Sequence, residues 1–481
     1  MKIYSISLTG RIVLIIFLSI FSLSRIIAQS CLPNGIIFNS QEQIDNFPVN
    51  YPGCTVIEGF VSIGTENITN LNGLSQITSI GMSLLIQSSG ISNFSGLDNL
   101  QSVGNYLLIF NNAYLTNLDG LNNLQSVGID CEITSNIHMI DINGLENLQS
   151  IGNNLILESN FALSNLHGLS KITEVMGDLS IQTNGLESLT GLDSLTIIHG
   201  DLTISSIYPL TNLTGLGNLV TIEGDVGIGQ NYNLIDYTGL SKLTTIGGSL
   251  SISGGNFQTN MFGLESLTSI GSRFIIGGSN FLTSLEGLNN LIYIGYEMYI
   301  SGNGSLINFD ALENLAFIGY SLVIVNNYSL ESLSGLENVD LMNLDYLGIH
   351  VNPKLSFCHT SDICEYLSIP THTATIQQNF TGCNSREEVL DACYTSVEKT
   401  DNTRQGCVVF PSPAANHITL LIHEFKGHAS LVLYQNNSQL VFETSAYVSN
   451  VDLDISSLKP GIYFLKITHN SSVEVKKIIK I

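Results

Sequence analysis

The 481-residue sequence has little charge, few prolines and no tryptophan. Charged residues make up 12% of the chain, whereas soluble domains usually carry about 25%. Only 16 Lys and Arg oppose 40 Asp and Glu, so the formal net charge is −24. We expect no nucleic acid partner, because binding to phosphates needs a basic face that this composition does not supply. Disorder is also excluded, because 44% hydrophobic residues can form a sizeable core.

Long apolar runs are missing as well, except near the N-terminus. Residues 1–30 have the pattern of a secretory signal peptide, with Lys2 and Arg11 ahead of an apolar stretch at 12–23 that is short for a membrane span. No later segment has the ~18 continuous apolar residues of a transmembrane helix. We therefore predict an exported protein that has no transmembrane segment once the signal is removed.

A repeat of 23 or 24 residues dominates the middle of the chain. The pair Gly-Leu recurs with this spacing from Gly73 to Gly335, and Ala311-Leu312 replaces it in one unit. Each unit also contains a short apolar-x-apolar piece, such as Leu107–Ile109, which predicts a strand with its outer side chains inside and its middle one outside. A single coil cannot bury its leucines, so we predict an all-β fold built as a parallel β-solenoid of about 13 coils.

An asparagine follows most of these strands by three residues. We interpret this series as architectural, because an inward Asn at a corner can satisfy backbone groups of its own and adjacent coils. Cys131 falls on an inward strand position and is predicted to be a buried free thiol. The asparagines are Asn112, Asn136, Asn160, Asn184, Asn231, Asn303, Asn327 and Asn352.

The remaining cysteines lie mostly at the two ends of the repeats, where they predict disulfide-stapled caps. Cys31 and Cys54 precede the repeats, and Cys407 stands alone beyond them. Four more follow the repeats, and their three possible pairings cannot be told apart from the sequence. These four are Cys358, Cys364, Cys383 and Cys393.

The stretch C-T-V-I-E-G-F-V-S-I at 54–63 resembles the opening coil of receptor L-domains, and I-I-H-G-D-L-T-I at 197–204 repeats the pattern. These domains are leucine-rich-repeat-like solenoids of growth-factor receptor ectodomains, and the resemblance covers roughly residues 31–395. It implies a Cys31–Cys54 bridge that closes the N-terminal cap. It does not identify a ligand.

The pattern changes after residue 393. Residues 31–393 contain 5 basic and 33 acidic residues, whereas residues 394–481 contain 8 and 7. Residues 394–406 are polar and read as a linker, and the next 75 contain six or seven short β-rich runs divided by Gly, Asn, Ser and Pro. Such spacing predicts a small C-terminal β-sandwich.

Four motifs in this tail are similar to the C-terminal sorting domains of the bacterial type IX secretion system. They are V-F-P-S-P-A-A-N at 409–416, L-V-L-Y at 431–434, L-K-P-G-I-Y-F at 458–464 and K-K-I-I-K-I at 476–481. The resemblance implies periplasmic passage, translocation by the type IX machinery across the outer membrane of a Gram-negative bacterium, and removal of the tail. Release or attachment to the outer cell surface would follow.

The resulting domain assignment has six parts. They are a signal peptide (1–30), a disulfide N-cap (31–59), the repeat solenoid (60–352), a Cys-rich C-cap (353–395), a linker (396–406) and the sorting domain (407–481).

No catalytic constellation is recognisable. H-E-F-K-G-H at 423–428 has its second histidine one residue too far for a zinc-protease helix, and nucleophile-elbow, P-loop and dinucleotide motifs are missing. We therefore assign no catalytic residue, no firm metal ligand and no cofactor, with calcium the one ion considered.

The outward columns of the strands carry the binding candidates. Asp178, Asp201 and Asp225 would stand about 5 Å apart on successive coils, where like charges repel unless a cation such as calcium intervenes. We favour the simpler interpretation that these aspartates solvate the sheet edge. Two apolar zones are the other candidate contacts, with small residues between them suited to a protein or a glycan. The zones are Tyr106 with Phe110, and Ile275 with Tyr299.

The favoured function is therefore a non-catalytic binding or adhesion protein. One alternative is a glycan-active enzyme that uses paired carboxylates among Asp130, Glu132 and Glu158. The other alternative is a structural surface-layer protein.

Overall fold

The computed structural model describes residues 29–395, 407–410, 414, 416–422, 427–435, 440–448, 450–459, 461–469 and 472–480. Nearly all of the predicted signal peptide and the whole of the predicted linker 396–406 lie outside these residues. Within them, no helix combines the length and the apolar character needed to cross a bilayer.

Parallel strands stacked one per coil form the solenoid, as predicted. One side is a continuous 15-stranded parallel sheet, called the long sheet below. Thirteen of its strands come from the repeat region, and each cap adds one more. Its strands are Ile36–Phe38, Val61–Ile63, Leu84–Gln87, Leu107–Phe110, Cys131–Thr134, Leu155–Glu158, Leu179–Gln182, Leu202–Ser205, Val226–Gly229, Leu250–Ser253, Phe274–Gly277, Glu297–Ser301, Ser321–Val325, Tyr346–His350 and Ala374–Gln377.

Two shorter parallel sheets of six and seven strands form a second wall of the solenoid. The first contains Gln29–Cys31, Cys54–Ile57, Ser79–Ile80, Ser102–Val103, Ser126–Val127 and Ser150–Ile151. The second contains Glu174–Val175, Ile197–Ile198, Thr221–Ile222, Thr245–Ile246, Ser269–Ile270, Tyr293–Ile294 and Phe317–Ile318. In five coils the Gly-Leu segment forms a short 3-10 helix, at Asn72–Leu74, Asn143–Leu145, His167–Leu169, Asp310–Leu312 and Ser334–Leu336.

The repeat leucines and isoleucines form one continuous core that runs from cap to cap. In the strand Leu107–Phe110, Leu107 and Ile109 are fully buried while Leu108 and Phe110 point outward, which confirms the predicted alternation. Close stacking explains the glycine that directly follows the second-wall strand in most coils, such as Gly128 after Ser126–Val127. A Cβ on Gly128 would lie 1.9 Å from the backbone oxygen of Gly104 on the preceding coil, so a larger residue would push the coils apart.

The asparagines form a ladder inside the solenoid, as predicted. Asn136 donates from Nδ2 to the backbone oxygens of Ile109 (2.9 Å) and Thr134 (3.0 Å). Its Oδ1 accepts the backbone N–H of Asn112 at 3.1 Å. The ladder extends beyond the predicted series to Asn379, whose Oδ1 accepts the backbone N–H of Asn352 at 3.0 Å.

Three positions interrupt this asparagine ladder in the middle part of the solenoid. Ile207, Gly255 and Ser279 stand where the repeat would place an asparagine. At Gly255 the side chain of Gln258 fills the space instead, and its Oε1 is buried without a hydrogen-bond partner. The coils that lack the asparagine are therefore joined to their neighbours by fewer side-chain hydrogen bonds.

The corner before the ladder differs from the Gly-Leu corner. Glycines supply unusual backbone angles at the Gly-Leu corner, as at Gly120 (φ 105°), but at the corner before the ladder most coils have a polar residue with positive φ ahead of the inward asparagine. Asn111 (φ 56°), Ser135 (φ 57°) and Gln230 (φ 56°) are examples, and glycine takes this role only at positions such as Gly278 (φ 68°). Short polar side chains tolerate the left-handed conformation better than branched ones do.

Both ends of the solenoid carry helices and disulfides. The N-terminal cap has the helices Gln41–Asp45 and Phe47–Asn50, and its Cys31–Cys54 bridge confirms the pairing that the resemblance implied. The C-terminal cap has the helices Ser361–Ser368 and Arg386–Thr395. The pairings left open there are Cys358–Cys383 and Cys364–Cys393.

The tail folds as two antiparallel sheets around a core of its own, as predicted. One sheet has the order Cys407–Phe410, His417–Ile422 and Asn450–Asp454. The other has the order Leu440–Ala446, Ala429–Gln435, Gly461–His469 and Ser472–Lys480. The additional strand at Cys407–Phe410 brings the number to the upper end of the six or seven expected.

Candidate binding face

The outer surface of the long sheet presents side chains in columns, because each strand pairs in register with the strand one coil away. Leu202 pairs with Val226, and Val226 pairs with Leu250, so the residues between them also align. The outward positions of a strand are its second and fourth residues. This register makes the face a ladder with a spacing of about 4.8 Å per coil.

The two predicted apolar zones lie on this face but far apart. Tyr106 directly precedes the fourth strand of the long sheet, and Phe110 is the last residue of that strand. Ile275 on the eleventh strand pairs with Tyr299 on the twelfth strand. Seven coils at about 4.8 Å separate the fourth strand from the eleventh, a distance of about 34 Å. The structure therefore does not bring the two zones into a single site.

A polar groove lies between the two zones, where the outward residues are small. Its volume is about 370 Å³. A Cβ built on Gly227 would meet no atom within 4 Å, so the floor of the groove is open there. The lining residues are Gln182, Thr203, Ser205, Ser206, Gly227, Ile228, Gly229, Gln230, Ser251 and Ser253.

Hydrogen bonds between coils hold the polar side chains of the groove in place. Ser205 Oγ donates to Gln182 Oε1 at 3.0 Å, and Gln182 Nε2 donates to Glu158 Oε1 at 3.1 Å. On the neighbouring column, Ser206 Oγ donates to Gln230 Oε1 at 3.1 Å. The groove thus offers an ordered set of hydroxyl and amide groups without a positively charged side chain.

Aromatic residues follow the groove in the adjoining turns. Tyr208 and Tyr232 come two residues after the groove-lining Ser206 and Gln230, and their ring centroids are 5.7 Å apart. Tyr208 is 59% exposed, and Phe257, two coils further on, is 55% exposed. Comparably exposed aromatic residues occur in turns away from the groove, at Tyr114, Phe161, Phe281 and Tyr328, so those beside the groove belong to a longer series.

The acidic column has a structural explanation in the backbone. Asp178 Oδ1 accepts the backbone N–H of Asp201 at 2.8 Å, and Asp201 Oδ1 accepts that of Asp225 at 2.7 Å. Asp225 Oδ1 in turn accepts the N–H of Ser249 at 2.6 Å, and Asn154 occupies the same role one coil earlier. Each side chain therefore satisfies a donor at the edge of the next coil, which favours the non-ligand interpretation of this column.

A second cluster of carboxylates lies on the earlier coils. Burial raises the pKa of Glu132, and the nearby charges of Asp130 and Glu158 raise it further. Glu158 accepts hydrogen bonds from Gln182 and from Ser180 Oγ at 3.3 Å, so its carboxylate is fixed at the end of the groove. The neighbouring Cys131 is free and fully buried, as predicted, and burial raises the pKa of its thiol to about 12.

Another titratable group lies on the second wall of the solenoid. His199 lies 3.1 Å from Glu223 and 3.5 Å from Glu174, through its two ring nitrogens. Burial lowers the pKa of His199, but hydrogen bonds to Glu223 and Glu174 outweigh this and leave the pKa above its ordinary value.

The comparisons with known families separate the chain into its two parts. Residues 408–481 match the family described as the secretion system C-terminal sorting domain. Residues 147–236 match the family described as the receptor L domain. Both resemblances noted in the sequence are thereby confirmed. No curated protein matches the chain significantly.

The receptor L domain match covers four coils that include much of the groove, whereas the structural repeat extends across the whole solenoid. It supports the solenoid fold and does not specify a ligand. The sorting domain match supports secretion by the type IX route, with interaction with that machinery through the tail.

Sequence reasoning found part of the candidate face. It identified the small central residues Thr203 and Ser251, but not the column one position before the corner, which includes Gln182 and Ser205. The available signal was the run of small or polar residues at the fourth strand position on four consecutive coils, namely Gln182, Ser205, Gly229 and Ser253. The aromatic residues after the ladder asparagine were not recognised either.

Proposed function

We propose that this protein is a secreted, non-catalytic binding or adhesion protein whose long sheet recognises a glycan, with a protein ligand as the alternative. It is displayed on the outer surface of a Gram-negative bacterium or released from it, and residues 407–481 serve as the secretion signal. The observation that carries the proposal is the polar groove between Gln182 and Ser253.

The chemistry of the groove favours a neutral sugar chain. Its size falls within the range of about 300–1,000 Å³ typical of ligand sites, and its lining consists of hydroxyl, amide and backbone groups. Sugar hydroxyls need such donors and acceptors, while the C–H faces of a sugar ring pack against exposed aromatic rings such as Tyr208. The acidic edge formed by Asp201 and Asp225 disfavours anionic ligands.

A binding test compares a groove variant with a variant elsewhere on the same sheet. Gly227→Tyr fills the open floor, and Leu108→Tyr places the same side chain on an outward position outside the groove. We expect the mature protein to bind a subset of a glycan array, with affinity reduced at least about tenfold by Gly227→Tyr and unchanged by Leu108→Tyr. Equal binding by all three proteins would place the ligand site elsewhere.

The export proposal has a separate test. Deletion of residues 407–481 should leave the protein in the periplasm, because the sorting domain is then missing. Cell fractionation with the intact chain as control measures this. Normal delivery of the truncated protein to the surface or medium would contradict the proposed role of the tail.

A glycan-active enzyme is the second candidate, and one observation favours it. The raised pKa of Glu132 suits a general acid, and Glu158 is the neighbouring carboxylate. Polysaccharide degradation by the intact protein that Glu132→Gln abolishes, and that the exposed Glu187→Gln leaves unchanged, would establish this function.

A further inference from the structure

Three side chains of different chemistry meet in the tail. Cys407 begins the first strand of the tail, His469 ends the strand Gly461–His469, and Glu474 lies on the strand Ser472–Lys480 that follows. One ligand-type atom from each, namely the thiol sulfur, a ring nitrogen and a carboxylate oxygen, all lie within 4.8 Å of one another. Among the residues that the structure describes, no other group of three such side chains is this close.

The histidine in this cluster has an unusual environment. His469 is only 7% exposed, and neither Nδ1 nor Nε2 has a hydrogen-bond partner in the described part of the chain. A buried imidazole normally satisfies at least one nitrogen, because an unpaired buried polar atom costs about 1–3 kcal/mol. Among the described residues, both ring nitrogens of His469 therefore remain available to a ligand at this site.

The carboxylate of Glu474 is already oriented by two further contacts. The backbone N–H of Cys407 donates to Glu474 Oε2 at 3.0 Å, and Lys476 Nζ lies 3.0 Å from the same oxygen. Both contacts fix the side chain of Glu474 beside the thiol and the imidazole. Lys476 is the charged group that faces the cluster in addition to its members.

We infer that Cys407, His469 and Glu474 form a binding site for a borderline-soft divalent cation, best matched by Zn²⁺. Thiolate sulfur, imidazole nitrogen and carboxylate oxygen are all established zinc ligands, with bonds of about 2.0–2.3 Å. Around such an ion the ligand atoms stand roughly 3–4 Å apart, so small side-chain rotations from the present separations complete the site. Binding deprotonates the thiol and releases that proton to solvent, and a water molecule takes the fourth position.

The position of the site in the tail suggests a structural role. Cys407 and Glu474 are 67 residues apart in sequence, and they join the first and last strands of the tail. A metal bond between them would link two separate sheets and stabilise the folded tail relative to the unfolded chain.

The test uses Co²⁺ and Zn²⁺ with the chain that lacks the signal peptide but keeps residues 407–481. It is purified with a chelator, and the chelator is then removed. We expect one Co²⁺ to bind, with an absorption band from charge transfer between sulfur and cobalt, and Zn²⁺ to displace it. Cys407→Ser should abolish the band, and His469→Gln should weaken metal binding about 100-fold or more. Cys131→Ser is the matched control, because it removes the other buried thiol and should leave the titration unchanged.

The outcomes that would overturn the inference are equally specific. Absence of the sulfur band, or the same Co²⁺ affinity in His469→Gln as in the unchanged protein, would show that the cluster is not a metal site. Loss of the band in Cys131→Ser with retention in Cys407→Ser would also refute it. Far-ultraviolet circular dichroism of each variant confirms that the chain is folded before titration.

Discussion

Replacing Asn136 by alanine tests the asparagine ladder. Asn136 is fully buried, and its side chain contacts backbone groups on its own coil and on the preceding one. Alanine leaves three of these groups without that partner, namely the N–H of Asn112 and the carbonyl oxygens of Ile109 and Thr134.

The expected loss of stability follows from these three groups. Each lost buried hydrogen bond costs about 1 kcal/mol, and more where no water can enter, so Asn136→Ala should lower the free energy of unfolding by about 3 kcal/mol. Asn99→Ala is the matched control. Asn99 is exposed and makes one side-chain bond, to the carbonyl oxygen of Ser75 at 2.8 Å, so its loss should cost under about 1 kcal/mol.

Native-state hydrogen exchange measures the effect where it arises. A loss of about 3 kcal/mol corresponds to roughly 100-fold faster exchange of the amide of Asn112, provided that it exchanges by opening of this region. Urea unfolding of both variants gives the global effect. If Asn136→Ala shifted the unfolding midpoint no more than Asn99→Ala, the ladder would not stabilise the solenoid as argued here.

Three further results are expected. Thiol titration should detect no reactive thiol in the native protein and two after denaturation without reductant, because Cys131 and Cys407 are buried and the other six cysteines are paired; a third thiol would contradict the disulfide assignment. Asp201→Asn should retain stability while Asp201→Ala loses it, since only the amide keeps an oxygen for the next coil; a rise in melting temperature with millimolar calcium that Asp201→Asn abolishes would instead assign the column to calcium. Because the pKa of His199 is raised in the folded state, its stabilising contribution should be complete below the unfolded pKa of about 6.5 and disappear as pH rises through the folded pKa; His199→Gln should remove this part of the pH dependence of the urea midpoint, and an unchanged dependence would contradict the assignment.

The solenoid was predictable because one rule repeats in every coil. The spacing of Gly-Leu, the apolar-x-apolar strands and the asparagine that follows are all set by the need to bury leucine and to satisfy backbone groups at a corner. Asn379 escaped the same reasoning because it lies in the cap, where the leucine pattern has ended. It nevertheless follows the strand Ala374–Gln377 with the spacing that Asn112 has after Leu107–Phe110.

The candidate groove was less predictable because it depends on what several coils lack. Gly227 contributes to the groove because it has no side chain to fill the open space above its backbone. A sequence motif does not reveal such an open space. The cluster of Cys407, His469 and Glu474 was hidden for a different reason. Its members come from three strands, and only the antiparallel pairing of His469 with Ser472 brings the last two together.

The three gaps in the asparagine ladder affect how the solenoid responds to heat or mechanical tension. A stack of repeats usually frays from its ends, where a coil has only one neighbour. Here disulfides close both ends, while the missing asparagines at Ile207, Gly255 and Ser279 weaken the middle. Opening should therefore start at mid-length and leave two half-rods that each keep one stapled end. The polar groove covers the coil of Ile207 and reaches the coil of Gly255, so a ligand bound there would hold together part of this weakened stretch.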